Sequence, residues 1–147
     1  MKILVDADAC PVKRIIREEA EKLNLQVVLF ADTSHIIDEG YGEVIVVDKG
    51  RDSADIALAN RINSGDVVVT QDYGVAAVAL ARGARVINQN GMEYNKDNID
   101  RLLFERYVSS KIRKAGGRTS GVKKRRMDND KHFRSVLRKM CKDKGAV

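Results

Sequence analysis

Five short runs rich in Val and Ile recur along the chain with almost no alternation between apolar and polar residues: Lys2 to Val5, Gln26 to Phe30, Glu43 to Val47, Asp66 to Val69, and Arg85 to Ile87. A strand with one wet face alternates, whereas a strand covered on both faces does not. The runs therefore predict strands buried on both sides, as in a parallel sheet with helices above and below it. The stretches between them agree. In Pro11 to Leu23, residues Val12, Ile15, Ile16, Ala20 and Leu23 fall on one face, while Lys13, Arg14, Arg17, Glu18 and Glu21 face out. Pro11 suits a first helical turn, where its missing N–H costs nothing. Ala54 to Ile62 and Val75 to Ala81 read as shorter helices, the second stopped by Gly83. The predicted class is α/β, a three-layer α/β/α fold around a parallel five-stranded sheet.

Later in the chain, Ile99, Leu102, Leu103, Arg106, Tyr107 and Ile112 trace a longer helix that closes at Gly116-Gly117. Phe30 to Gly42 is the least periodic segment and predicts an irregular connection or a short helix. Arg118 to Asn129 reads as a mobile basic loop, and Asp130 to Cys141 as a last amphipathic helix carrying Phe133, Val136, Leu137 and Met140. The 147 residues suit one domain. Residues 1–117 are its α/β body, and residues 118–147 a basic loop and C-terminal helix extending the same domain.

Charge divides the chain. Residues 1–110 hold 13 Lys and Arg against 18 Asp and Glu, whereas residues 111–147 hold 14 against 3, so an acidic body carries a basic end. Such an end attracts polyanions, of which nucleic acid is the commonest; a solvated end is the alternative. Cys10 and Cys141 are far apart in the sequence and the imidazoles number two, which argues against a disulfide framework and against zinc. The first apolar run stops at Asp6, short of a signal-peptide core, and no stretch reaches the roughly 20 apolar residues of a membrane span. The expectation is a cytoplasmic protein without a membrane partner.

In open α/β sheets, ligands bind beyond the carboxyl ends of the strands, near the point where strand order reverses. The first run ends in Val5-Asp6-Ala7-Asp8, where extended backbone lets both carboxylates point the same way. Side by side they repel, and a hard cation such as Mg²⁺ or Mn²⁺ resolves the conflict. The fourth run ends in Val69-Thr70-Gln71-Asp72, which adds Thr70 and Asp72 to the same edge. Arg51-Asp52-Ser53-Ala54-Asp55 opens a helix whose first turn can face that edge, making Asp55 a further ligand, with Asp52 and Ser53 supporting it. Three of the acids have specific local alternatives, whereas one cap could use only one of Asp6 and Asp8. Asp52 with Asp55 resembles a capping box, and Asp72 can cap the helix that follows it.

The strings Val5-Asp6-Ala7-Asp8-Ala9-Cys10-Pro11, Asp52-Ser53-Ala54-Asp55 and Gly65-Asp66-Val67-Val68-Val69-Thr70-Gln71-Asp72 resemble the YaiI/YqxD family of uncharacterised bacterial proteins. The likeness continues through Asn88 to Gly91, Asn98-Ile99, Arg106, Arg113 and Gly117 to Gly121. That family resembles the PIN-like nucleases, whose parallel sheet carries acidic metal ligands at its carboxyl edge. The resemblance implies acidic positions at Asp6, Asp55 and Asp72, with Asp8 adjacent. Val122 stands where family members usually have Pro, and it begins the basic run Lys123 to Arg126.

Three readings follow. In the first, a Mg²⁺- or Mn²⁺-dependent ribonuclease or related phosphodiesterase, Asp6, Asp8, Asp55 and Asp72 hold metal and act in catalysis. Asp52, Ser53 and Thr70 support them. Lys13, Arg14, Arg17, Lys123, Lys124, Arg125 and Arg126 attract the nucleic acid, RNA foremost, although the first three also read as a solvated helix face. Tyr73, Tyr94 and Tyr107 are the plausible stacking partners. The second reading is a phosphohydrolase with Asp6 as nucleophile and Asp8 as acid/base. It needs a later acid from Gly65-Asp66, which lies at the wrong end of its strand. A receiver-like arrangement around Asp48 lacks the Lys it needs, because that position reads Asn88-Gln89-Asn90. In the third reading, a non-catalytic nucleic-acid or ribosome-associated binding protein, the metal is structural.

Overall fold

The computed structural model describes residues 1–8, 10–32, 41–47, 53–117 and 127–143. The strands are β1 (Lys2–Asp6), β2 (Gln26–Asp32), β3 (Glu43–Val47), β4 (Val67–Val69), β5 (Arg85–Ile87) and β6 (Glu93–Tyr94). The helices are α1 (Lys13–Leu23), α2 (Ser53–Asn60), α3 (Tyr73–Ala81), α4 (Lys96–Lys114) and α5 (Met127–Lys142). The fold is mixed α/β, built on one six-stranded sheet of order β3-β2-β1-β4-β5-β6. The first five strands are parallel, and the sixth is antiparallel to β5 through Val86↔Tyr94 and Ile87↔Glu93. The expected five-stranded parallel sheet is thus corrected to six strands with one antiparallel edge. A two-residue strand carries too little apolar pattern to announce itself.

Successive residues of a strand point to opposite faces, and the chain uses both. Ile3 and Val5, Val27, Leu29 and Ala31, and Val67 and Val69 share a first core with Val12, Ile16 and Ala20 from the α1 segment. Phe133, Leu137, Met140 and Cys141 of α5 complete it. Leu4, Val28, Phe30, Val68 and Val86 share a second core with Leu58 of α2, Val75, Ala76 and Ala79 of α3, and Ile99 and Leu102 of α4. Both faces are dry along β1, β2, β4 and β5, which explains the missing alternation there. Strand β3 corrects the expectation, because at the sheet edge none of its residues is buried and Val46 is 52% accessible.

Several boundaries differ from the sequence reading. Helix α1 begins at Lys13, not Pro11, behind a turn that Lys13 holds by donating from Nζ to the carbonyls of Ala7 (3.4 Å) and Cys10 (3.1 Å). Helix α3 begins at Tyr73, two residues early, because Asp72 caps it. Helix α5 begins at Met127, so residues 127–129 of the expected loop are helical. The rest of that loop lies outside the described residues. Gly91 marks the approach of α5 to the turn after β5: its φ is +91°, and a Cβ there would lie 2.5 Å from His132 Cδ2.

Glu19 is a buried charge that helical periodicity alone does not foresee. It lies on α1 with 1% exposure, facing α5. Arg138 donates to it from Nε (2.6 Å) and Nη2 (3.1 Å), Arg134 from Nη1 (2.9 Å) and Lys22 from Nζ (3.4 Å). The Arg138 bonds, against the cost of burial and with help from Arg134, pull its carboxyl down to about 2. A lowered carboxyl stabilises the fold above its unfolded value, and that contribution fades as pH falls from 4.5 towards 2. Glu19→Gln should cost about 1–3 kcal/mol at pH 7, read as a lower melting temperature. The gap from the parent should narrow as pH falls through that window. A gap independent of pH would show that the charge contributes nothing.

Candidate functional site

In the strand order, β1 lies between β2 and β4, and the direction of progress reverses there. Connections leave the carboxyl ends of β1 and β4 towards opposite faces, opening a crevice between them. The first polar residues past the buried strands stand at its rim. Thr70 is buried, and its Oγ1 donates to Asp6 Oδ2 at 3.0 Å while accepting from the Asp72 N–H at 3.0 Å. One hydroxyl thereby ties the end of β1 to the exit of β4. The Thr70 carbonyl accepts from the Tyr94 hydroxyl at 3.2 Å, and Tyr94 meets Tyr73 edge-on with ring centroids 6.0 Å apart.

Asp72 Oδ1 accepts from the N–H groups of Gly74 (2.7 Å) and Val75 (3.2 Å), so the capping role is real. Asp8 leans the other way, its Oδ2 accepting from the Asp32 N–H at the end of β2 (3.2 Å). The carboxylates are close enough to feel one another. The Asp6 carboxyl is pushed up to about 6, chiefly by burial, against the Thr70 hydrogen bond and with further repulsion from Asp55, Asp72 and Asp8. Asp55 sits half-buried in the first turn of α2. All four acids named from the sequence therefore share one electrostatic neighbourhood. A concavity of about 440 Å³ is lined by Asp6, Asp8, Gln71, Asp72, Tyr73 and Arg106.

Other expected site residues fare differently. Lys13 is engaged in its turn, Arg14 is exposed and paired with Glu18 at 3.1 Å, and Arg17 is half-buried. Ser53 opens α2. Asp48, Asp52, Lys123, Lys124, Arg125 and Arg126 lie outside the described residues. Tyr94, at 1% exposure, has no free face for a base, which corrects its reading as a stacking partner. Asp66 is buried at the opposite end of β4, salt-bridged to Lys2 Nζ at 2.7 Å. It cannot serve the phosphohydrolase arrangement. Arg106 is the residue that the site reading missed, with Nη1 3.8 Å from Asp72 Oδ1. Its signal was a cation on the otherwise apolar stripe of α4.

Oxygen donors of this kind suit a hard divalent cation. Among the described residues no three acidic, imidazole or thiol groups close around one point as the side chains stand. Asp6 leans to β4 and Asp8 to β2. Mg²⁺ commonly takes one or two carboxylates and fills its remaining positions with water, so the donor set fits an ion held partly through water. Among the described residues, no helix is long and apolar enough to cross a membrane.

The fold and this edge define a class, a mixed α/β protein with an acidic crevice where its strand order reverses. The chain belongs to the YaiI/YqxD family, described as an uncharacterized BCR family, which it matches over residues 4–143. It is 58% identical to a UPF0178 protein of Ruminiclostridium cellulolyticum over 93% of this chain and 90% of the relative. A UPF0178 protein of Clostridium kluyveri is 49% identical over the same shares. One of Natranaerobius thermophilus is 44% identical over 95% of each chain. No solved structure matches.

The raised Asp6 carboxyl has a thermodynamic sign. The folded protein keeps that proton while the unfolded chain has lost it, so stability falls as pH rises from about 4 to about 6. Asp6→Asn keeps an acceptor for Thr70 and removes the charge. In chelator it should melt about 3–6 °C above the parent at pH 8, with the difference gone by pH 4. Equal differences at both pH values would refute the repulsion.

Proposed function

We propose that the protein is a Mg²⁺- or Mn²⁺-dependent ribonuclease or related phosphodiesterase, a three-layer fold of the PIN-like kind. The observation that carries this reading is that Asp6, Asp8 and Asp72 line the crevice between β1 and β4, with the Asp55 charge acting on Asp6 and an arginine at the rim. Asp6 and Asp72 would hold the ion directly, with Asp8 and Asp55 holding it directly or through water. Asp72 can do so while capping α3, because the cap uses Oδ1 and leaves Oδ2. A bound divalent cation supplies an activated water and offsets charge on the leaving oxygen.

The chain's own residues prepare the site. Thr70 fixes the rotamer of Asp6 through one hydrogen bond and the backbone of Asp72 through another. The Arg106 guanidinium, beside Asp72, brings positive charge to where a phosphate would enter. A binding protein with a structural metal would need the same ion, so only turnover separates the two.

Mn²⁺ titrated into the parent should bind at one or two sites, and binding should weaken below about pH 6 as Asp6 takes up its proton. Asp72→Asn is a clean variant because Asn caps helices as well as Asp does; it should weaken Mn²⁺ at least about tenfold. Cleavage of a generic single-stranded RNA should require Mg²⁺ or Mn²⁺ and disappear in Asp6→Asn and Asp72→Asn. A parent that binds no divalent cation, or an Asp72→Asn variant that binds it equally well, would end this reading.

A further inference from the structure

The inward stripe of α4 changes character along the helix. Ile99 and Leu102 are buried in the second core and Leu103 packs against it. The next positions at three- and four-residue spacing are Arg106, Ser109, Ser110 and Arg113. The change falls where the helix reaches the carboxylates, since Arg106 lines the acidic concavity. At 1.5 Å per residue, the helix runs on from Arg106 to Lys114 for about 12 Å.

This second half is exposed, and its surface is both cationic and aromatic. Phe104 is 65% and Tyr107 59% accessible, and the Lys111 ammonium stands 5.4 Å from the Tyr107 ring centre. From Phe104 to Lys114 the cations are Arg106, Lys111, Arg113 and Lys114, and the only acid, Glu105, is held by Arg101 at 3.1 Å. Basic residues in a last turn also complement the helix dipole. That accounts for Lys111, Arg113 and Lys114, but not for Arg106 two turns earlier, nor for two aromatic rings left in water. Cations interleaved with accessible rings are what a single strand needs, because phosphates take the charge and bases stack.

We propose that the exposed half of α4 seats a single-stranded nucleic acid that leads into the acidic crevice, with Arg106 and Arg113 on phosphates and Tyr107 offering its ring to a base. The strand's fate at Asp6 and Asp72 rests on the phosphodiesterase reading; the seat itself does not. It puts the nucleic-acid contact on α4 and not on α1, whose Lys13 bonds the Cys10 carbonyl and whose Arg14 pairs with Glu18.

The test is fluorescence anisotropy of a short, unstructured, end-labelled RNA with the full chain in chelator, where no metal-dependent cleavage occurs, repeated across a salt series. Arg106→Gln and Arg113→Gln should each weaken binding about 3- to 10-fold and lower the salt slope by about one. Tyr107→Ser should weaken binding with the slope unchanged. Lys96→Gln removes the same charge at the far end of α4 and should leave affinity and slope as they are. Circular dichroism melts of each variant should match the parent, since these side chains are exposed.

Parent affinity retained in an Arg106→Gln/Arg113→Gln double variant would overturn the seat, and so would a parent that binds no RNA. A concentration-dependent dimer disrupted by Phe104→Ser, with RNA binding untouched, would also overturn it by assigning the face to a second copy of the chain. Mn²⁺ binding is scored separately. Loss of the seat with Mn²⁺ binding intact leaves the phosphodiesterase reading standing, and α4-dependent RNA binding without Mn²⁺ binding upholds the seat while removing the metal.

Discussion

Strand β1 has no polar freedom until it ends. Ile3, Leu4 and Val5 are fully buried, with helices over both faces and a parallel neighbour along each edge. A polar side chain in that run would have neither water nor an open backbone to bond, at a cost of several kcal/mol. Asp6 stands at the point where β1 leaves this enclosure, and the same enclosure surrounds Val67 to Val69 before Thr70 and Asp72. The carboxylates are thus collected at one edge by the requirement that nothing charged lie deeper in the strands. The reversal of strand order at β1 and β4 then keeps a helix from closing over them.

That enclosure explains what could be read from the chain before its structure. Unbroken Val and Ile runs report two dry faces in β1, β2 and β4 but not in β3, where the same pattern lies on an exposed edge strand. The polar residues that end the β1 and β4 runs report the sheet edge, so Asp6 and Asp72 were legible as neighbours. Thr70 was named with them, yet its double role as donor to Asp6 and acceptor from Asp72 depends on hydroxyl geometry that spacing does not carry. Strand β6 escaped because Glu93 and Tyr94 form no apolar run; pairing with β5 makes them a strand. Glu19 escaped for a similar reason. Its partners Arg134 and Arg138 lie 115 and 119 residues away, and only the docking of α5 on α1 brings them together.

Arg106 shows how pattern and position combine. On periodicity alone it is a polar interruption of an apolar stripe, a position that often means a side chain reaching round to solvent. The packing of Ile99 and Leu102 against the second core fixes the rotation of α4 about its axis. That rotation brings Arg106 to Asp72 and not to water alone. The same two buried residues that hold the helix therefore aim its cation.

Asp72 carries the tension that makes the edge informative. As the N-cap of α3, its Oδ1 accepts from the Gly74 and Val75 N–H groups, so the start of the helix supplies it with donors. Asp6 accepts from the Thr70 hydroxyl, and burial, with the charges of Asp55, Asp72 and Asp8, raises its carboxyl. Thr70 thus joins the Asp6 carboxylate to the Asp72 backbone, and the two acids differ in their support, a hydroxyl for one and a helix start for the other. A cap alone would require Asp72 and leave Asp6 unexplained. In the proposed reading, Asp6 and Asp72 would hold a divalent ion, whose charge would offset the repulsion that falls on Asp6.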